Sequence, residues 1–415
     1  MSHGATTSLK RVKQRPSHTH LSRDVSLSPA PPVRSRSARL DAIIVPASRP
    51  ACFLQPAINL AARLGVTLVL LCSKQTKVED VAKRVASTPG AKCLIIPIPK
   101  GWTHSALPSQ TSDPIFAKAK ARRASDLSAK RNLGLLLARS HGWNKIAFVD
   151  DDITLSRTDN IARLAGQLDA HQVAGMVVPQ HPDNSVVCHA RRLAGRFQDV
   201  FVTGAVLGVH CNSLPLSYFP DIYNEDWFFF AKEAATRMLP RVGTARQKEY
   251  NPFATPDRAR REEFGDLLAE GLFALFGEAG PSMSFDEQLR GATTGYWERF
   301  IEARLEVLTE TRTVLGSIAN QDPGDNRLSS AFDALGAAMG QLNDTVTPDL
   351  CANFINAWRA DLGDWQRFSN GVNNMGSTPR AMDFLELKSW TLVEFGDARW
   401  NREVTQVSSS DLVDV

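Results

Sequence analysis

A chain of 415 residues, 43% hydrophobic and 22% charged, has the composition of an ordinary globular protein, long enough for a large core with an accessory region beside it. Its formal charge of +4 is local: residues 1–40 hold eight Lys/Arg against Asp24, a +7 segment that leaves −3 for the rest and lends no support to a nucleic-acid-binding body. Six scattered cysteines without a CxxC pair argue against a zinc site or disulfide framework, and runs such as 66–72 are too short to span a bilayer, so the expected setting is reducing and cytoplasmic.

Residues 1–39 are rich in Ser, Pro and His, lack apolar periodicity and read as a disordered basic tail. The tail has no apolar stretch of the secretory kind; its charge would allow peripheral contact with an anionic membrane or with nucleic acid, and a solvated, non-specific extension is the plainer reading. From residue 40, strand and helix signals alternate: a strand at 41–46, a helix at 54–64 closed by Gly65, a strand at 66–72, a helix at 78–85 and a strand at 92–98. That order predicts a Rossmann-like, mainly parallel sheet with right-handed crossovers. A loop at 99–124 follows, ending in the basic run Lys118, Lys120, Arg122 and Arg123. A helix at 125–140 and a strand at 145–150 resume the winding, with further strands expected at 173–179, 186–189 and 200–209. A helix begins near Asn224, which reads as its N-cap.

From about residue 259 the pattern turns to long helices. Tyr296, Trp297, Phe300, Ile301, Leu305 and Leu308 share one helical face, as do Trp358 and Trp365. The organisation expected is therefore a tail at 1–39, an α/β domain at 40–280, a helical accessory region at 281–402 and a flexible C-terminus at 403–415.

The strand at 145–150 runs directly into Asp150-Asp151-Asp152. The C-terminal end of a buried strand is where an open α/β sheet forms its ligand crevice. An aspartate run also suits a solvated turn, yet three adjacent carboxylates repel unless a cation compensates them. Hard oxygen ligands suit Mg²⁺ or Mn²⁺, and such an ion suits a diphosphate. Alternation along the chain turns Asp150 and Asp152 to one side and Asp151 to the other.

Three segments together carry a resemblance: the helix Ala129-Lys130-Arg131-Asn132-Leu133-Gly134-Leu135, the strand end Ile146-Ala147-Phe148-Val149-Asp150-Asp151-Asp152, and Asn224-Glu225-Asp226-Trp227. They resemble the inverting glycosyltransferases of the GT-A fold, chiefly the family 2 type, over residues 40–270. Ile43-Ile44-Val45-Pro46-Ala47-Ser48-Arg49-Pro50 resembles the first strand and loop of that fold, which flank the nucleotide base. The resemblance implies a GT-A core and hexosyl transfer from a nucleoside-diphosphate sugar to an acceptor hydroxyl. It makes Asp150 and Asp152 a DxD pair on a divalent ion that assists departure of the diphosphate. It implies donor contacts from Pro46, Ser48, Arg49, Ser73, Lys130, Arg131, Asp150 and Asp151, and from Gly204 in a small-residue loop beneath the sugar. Arg131 is the better candidate of the helical pair, because a guanidinium recognises phosphate bidentately.

The resemblance further makes Glu225-Asp226 the acidic pair at a helix start, with Asp226 as general base. Plainer readings stand beside these: an exposed helical face for Lys130 and Arg131, the helix macrodipole for the acidic pair and a strand bulge for Gly204. Arg246-Gln247-Lys248 reads as a solvated loop or a lid, and residues 227–230 as core. The chain departs from the family at Leu70-Leu71-Cys72-Ser73, which lacks the aspartates that hold the base, so Ser73 or Arg49 is expected to substitute. No histidine follows His210, so a late metal ligand must be carboxylate, amide or water, and His189 and His210 read first as structural. A sugar nucleotidyltransferase would show a glycine-rich basic loop where residues 46–50 have no glycine. A non-catalytic GT-A scaffold acting as a binding module fits poorly with the intact carboxylates. The acceptor is not named by the sequence.

Overall fold

The computed structural model describes residues 12–32, 35–155, 157–179, 185–322 and 324–401. Eleven strands are found among them: β1 (Ser22–Asp24), β2 (Ala42–Ala47), β3 (Thr67–Cys72), β4 (Lys92–Pro97), β5 (Lys145–Val149), β6 (Ile153–Thr154), β7 (Val173–Val177), β8 (Thr203–His210), β9 (Leu239–Thr244), β10 (Arg246–Gln247) and β11 (Thr391–Glu394). Nine of them form one sheet in the order β1-β9-β7-β8-β5-β2-β3-β4-β11, while β6 and β10 pair apart from it. The sheet is mostly parallel. β8 runs antiparallel to both β5 and β7, and β11 antiparallel to β4.

The first helices are α1 (Gln55–Leu64), α2 (Val78–Ala86), α3 (Leu127–Ser140), α4 (Thr158–Gln167) and α5 (Val186–Leu193). Alternation along β2 shows how they distribute. Ile43 and Val45 point into a core made with Ile58 of α1, Val81 of α2 and Leu164 of α4, whereas Ala42 and Ile44 point into a second core with Leu133 and Leu136 of α3. Strands buried on both faces must be apolar throughout, which is why β2 to β5 read so plainly in the sequence. Gly134 lets α3 lie close to the sheet, since a Cβ there would sit 2.8 Å from Phe148 Cε1 and 3.2 Å from Ile44 Cγ2. Because β3 and β5 flank β2 on opposite sides, the winding reverses at β2, and a crevice opens beyond the C-terminal ends of β2 and β5.

The second half supplies α6 (Glu225–Phe229), α7 (Ala231–Ala235), α8 (Pro256–Glu278), α9 (Phe285–Leu289), α10 (Thr294–Gln321), α11 (Asn326–Thr345), α12 (Pro348–Gly371) and α13 (Thr378–Phe384). Trp297, Phe300, Trp358 and Trp365 are fully buried in the same hydrophobic cluster as α3 and the α3 face of the sheet. The helices beyond residue 280 thus have no core of their own, and β11 carries the chain back onto the sheet.

Three expectations need correction. The disordered tail is packed where it is described: Val12 and Leu21 are buried, β1 pairs in parallel with β9, and His18 Nε2 lies 2.8 Å from Glu270 Oε2 of α8. Backbone pairing and a few anchors hold a segment that has no apolar face; residues 1–11 of the tail and the C-terminus at 403–415 lie outside the described residues. The strand expected at 186–189 is the first turn of α5, because the Ser185 side chain accepts from Cys188 N and caps a helix there. Asn224 precedes α6 but makes no cap. Its backbone is left-handed, with φ of 61°, and its side chain donates to Asp266 Oδ1 at 3.0 Å.

Candidate active site

The crevice has a volume of about 340 Å³ and is lined by Pro46 near the end of β2, Ser48 and Arg49 after it, Asp150, Asp151 and Asp152 after β5, and Glu225, Asp226 and Trp227 at the start of α6. Arg131 joins its two acidic walls. Its guanidinium donates to Glu225 Oε1 at 2.7 Å, to Asp150 Oδ1 at 2.8 Å and to the Gly204 carbonyl at 3.0 Å. Burial alone would lower its pKa, but Asp150 and Glu225 outweigh that and hold it above the ordinary arginine value. α3 places this side chain, and it also places the far wall. Asn132 makes two 2.8 Å bonds with the backbone of Phe219, and Ser128 Oγ donates to the Pro220 carbonyl, fixing the loop that leads into α6.

Gly204 lies within β8 rather than in a loop. A Cβ there would stand 2.6 Å from Arg131 Nη1, so the glycine makes room for the arginine instead of for a sugar. Its N–H donates to Asp226 Oδ2, while Trp227 N donates to Asp226 Oδ1 at 3.0 Å. Burial first, then the Glu225 charge, pushes Asp226 above the usual carboxylate range, against the pull of Arg131.

The three aspartates divide between two arginines, with Arg49 shared by Asp151 and Asp152. Asp150 faces Arg131. Asp151 accepts from Ser48 N at 2.8 Å, Arg49 N at 3.0 Å and the Arg49 guanidinium, so it holds the loop after β2. Asp152 Oδ2 meets Arg49 Nη2 at 2.8 Å and Gln247 Nε2 of β10 at 3.1 Å. Burial, aided by Asp150 and Asp151, lifts the Asp152 carboxyl to about 6 despite those partners. The expected convergence of Asp150 and Asp152 on one ion is therefore not what the structure shows, and among the described residues no group of three or more His, Cys, Asp or Glu side chains is arranged to hold a metal. The donor set nevertheless suits a hard cation, because Gln247 Oε1 is buried without a hydrogen-bond partner on the amide that meets Asp152.

Two further expectations change. Lys130 is fully buried and stands behind the crevice, where its ammonium donates to Ala47 O at 2.7 Å, Ser73 Oγ at 2.7 Å and Ser48 Oγ at 3.1 Å. It clamps the ends of β2 and β3, and Ser73 is part of that clamp, donating in turn to Asp126. His210 pairs with Lys145 at the opposite end of the sheet, and His189 hydrogen-bonds Tyr250 from α5. Arg246-Gln247-Lys248 is fixed by pairing with β6 and by Lys248 N donating to Asp152 O at 2.9 Å. Trp227 to Phe230 are all buried.

The residues that sequence reasoning missed include Asp126, Tyr223, Tyr250 and Arg258, and Arg123 of the basic run also belongs to the lining. Arg258 stacks 4.5 Å over the Tyr250 ring and bonds Glu262 at 2.7 Å. The interrupted loop at 99–124 was the one signal for Arg123; nothing local marked the others.

No helix among the described residues is long and apolar enough to cross a membrane. No protein-family description and no curated protein matches the chain. Among solved structures, the mannosyltransferase PcManGT of Pyrobaculum calidifontis, in complex with GDP-Man and Mn²⁺, is similar over 81% of this chain and 90% of its own, with 16% identity and a TM-score of 0.38. At that distance the roles of the residues rest on the geometry of the crevice.

Proposed function

We propose that this chain is a glycosyltransferase of the GT-A, family 2-like kind, moving a sugar from a nucleoside-diphosphate donor to an acceptor hydroxyl with inversion. One observation carries the reading: two carboxylate groups, Asp150–Asp152 and Glu225–Asp226, face each other across a crevice at the reversal point of the sheet and share one buried arginine. Asp226 serves as base. As the acceptor oxygen bonds to the anomeric carbon, its proton passes to the Asp226 carboxylate, and the electron pair of the breaking C–O bond leaves on the diphosphate. A carboxyl raised by burial is a stronger base at neutral pH, and the two backbone N–H bonds fix its plane. Asp152 and Gln247 would hold a Mg²⁺ or Mn²⁺ ion, whose contribution when bound is Lewis-acid stabilisation of the leaving group. Arg131 keeps the two acidic walls in register, and Trp227 borders the acceptor side.

Calorimetric titration with a panel of nucleoside diphosphates and their sugar conjugates, with and without Mn²⁺, tests this. The expected result is metal-dependent binding of one nucleotide, lost in Asp152→Asn and kept in Asp226→Asn, with hydrolysis of the sugar conjugate lost in Asp226→Asn. A folded protein that binds none of the panel refutes the reading and leaves a binding scaffold.

A further inference from the structure

We propose that Arg49 is the resident cation of Asp151 and Asp152, and that a divalent metal ion and the Arg49 guanidinium are alternative occupants at Asp152, so that an arriving ion turns Arg49 out towards the donor diphosphate. The proposal rests on the metal-assisted reading above.

Its two arginines make the site asymmetric. The Arg131 side chain is 3% exposed, bonded to a backbone carbonyl and walled in by Gly204 and the Phe219 ring, so nothing can displace it cheaply. The Arg49 side chain is 43% exposed and is held by the Asp151 and Asp152 carboxylates and by the Phe53 ring at 6.0 Å. Its departure leaves Asp151 satisfied, because the N–H groups of Ser48 and Arg49 still bond that carboxylate. Asp152 is the carboxylate that needs a replacement. Its side chain is 4% exposed and would retain only the Gln247 amide.

Gln247 supplies the second, independent observation. It is 8% exposed, its Nε2 is committed to Asp152, and its Oε1 is buried with no donor. A buried amide oxygen beside a buried carboxylate is a pair of hard ligands that a guanidinium on the carboxylate alone leaves half used. An ion at that place takes the Asp152 carboxylate and, with the Gln247 amide turned over, its Oε1, and the released guanidinium has the planar fork that binds phosphate bidentately. Ion and donor should then bind with positive coupling, each improving the site for the other.

Counting free Mn²⁺ by electron paramagnetic resonance tests the exchange without any turnover, using the full chain and the metal alone. Arg49→Ala is expected to bind Mn²⁺ about tenfold tighter than wild type, equivalent to about 1.4 kcal/mol. Lys74→Ala, which removes an exposed cleft cation paired with Asp126 at 3.4 Å, is expected to stay within about twofold. Thermal melting keeps the test sharp: in chelator Arg49→Ala should melt below wild type, and Mn²⁺ should raise its midpoint more than that of wild type. Equal or weaker Mn²⁺ binding by Arg49→Ala overturns the exchange while the metal-assisted reading stands. So does an equal gain in Lys74→Ala, which would mean a general field effect. No Mn²⁺ binding by wild type or variants overturns both.

Discussion

Replacing Arg131 with Met tests whether one buried cation holds the two walls of the crevice together. Methionine keeps much of the stem but none of the donors that reach Glu225, Asp150 and the Gly204 carbonyl at 2.7, 2.8 and 3.0 Å. Hydrogen bonds to charged groups contribute about 1.5–3 kcal/mol each, but the three do not simply add, since Asp150 is 20% exposed at its side chain and can rehydrate. Glu225 at 5% cannot, and breaking a buried pair by removing one partner costs about 3–5 kcal/mol. The expected loss is therefore about 4 kcal/mol at pH 8.

The pH dependence has a definite sign. A carboxyl raised in the folded state holds its proton there while the unfolded chain has released it, so stability falls as pH rises from the unfolded value to the folded one. Asp226 already behaves so, and removing Arg131, whose charge pulls it down, raises it further, so the variant should lose more at pH 8 than at pH 5. Urea unfolding followed by tryptophan fluorescence at both pH values measures this. Adding Glu225→Gln should recover at least about 1 kcal/mol by removing the stranded charge. A loss below about 1 kcal/mol, or an equal loss at both pH values with no recovery, would refute the reasoning.

Gly134→Ala should cost about 1–3 kcal/mol, read from the unfolding midpoint, because its Cβ meets Phe148 at 2.8 Å; an unchanged midpoint would show that α3 has room to move. Burial pushes the Glu233 carboxyl up to about 7 from 4.5, a cost present above pH 7 and absent below pH 4. Glu233→Gln should stabilise by up to about 3 kcal/mol at pH 8.5 and by nothing at pH 4, and a pH-independent effect would contradict that cause. His18→Ala removes the partner of Glu270 and should cost about 1–3 kcal/mol while exposing residues 12–24 to limited proteolysis; unchanged protection would show that β1 pairing alone suffices.

The strands β2 to β5 and the helices α1 to α3 were legible to within about two residues, because burial on both faces forces unbroken apolar runs and Gly65 stops α1 in a left-handed turn. β1 was not, since Ser22-Arg23-Asp24 has no apolar residue and exists through its partner strand. Val186-Val187 looks like a strand, yet Ser185 and the Glu262 carboxylate, which accepts from Val186 N at 2.8 Å, capture the chain as a helix. In the crevice the acids were legible as clusters. Their partners were not: Arg49 and Asp151 lie 102 positions apart, and Gln247 and Asp152 lie 95 apart, so only tertiary structure could show that Asp150 answers to Arg131 while Asp151 and Asp152 share Arg49. Lys130 illustrates the limit best, a cation beside the crevice that spends every donor on the chain itself.

β1 and β11 are the two outermost strands of the nine, and they come from opposite ends of the chain. Each covers a hydrogen-bonding rim that would otherwise be open to another chain: β1 shields β9, and β11 shields β4 with its buried Cys93 and Ile95. During synthesis the β4 rim stays bare until residues 391–394 emerge, so the nascent sheet passes through most of its assembly with one sticky border unguarded. A chain cut before residue 391 should keep its crevice residues yet gain a strand-pairing border, and its failure would be aggregation rather than lost chemistry.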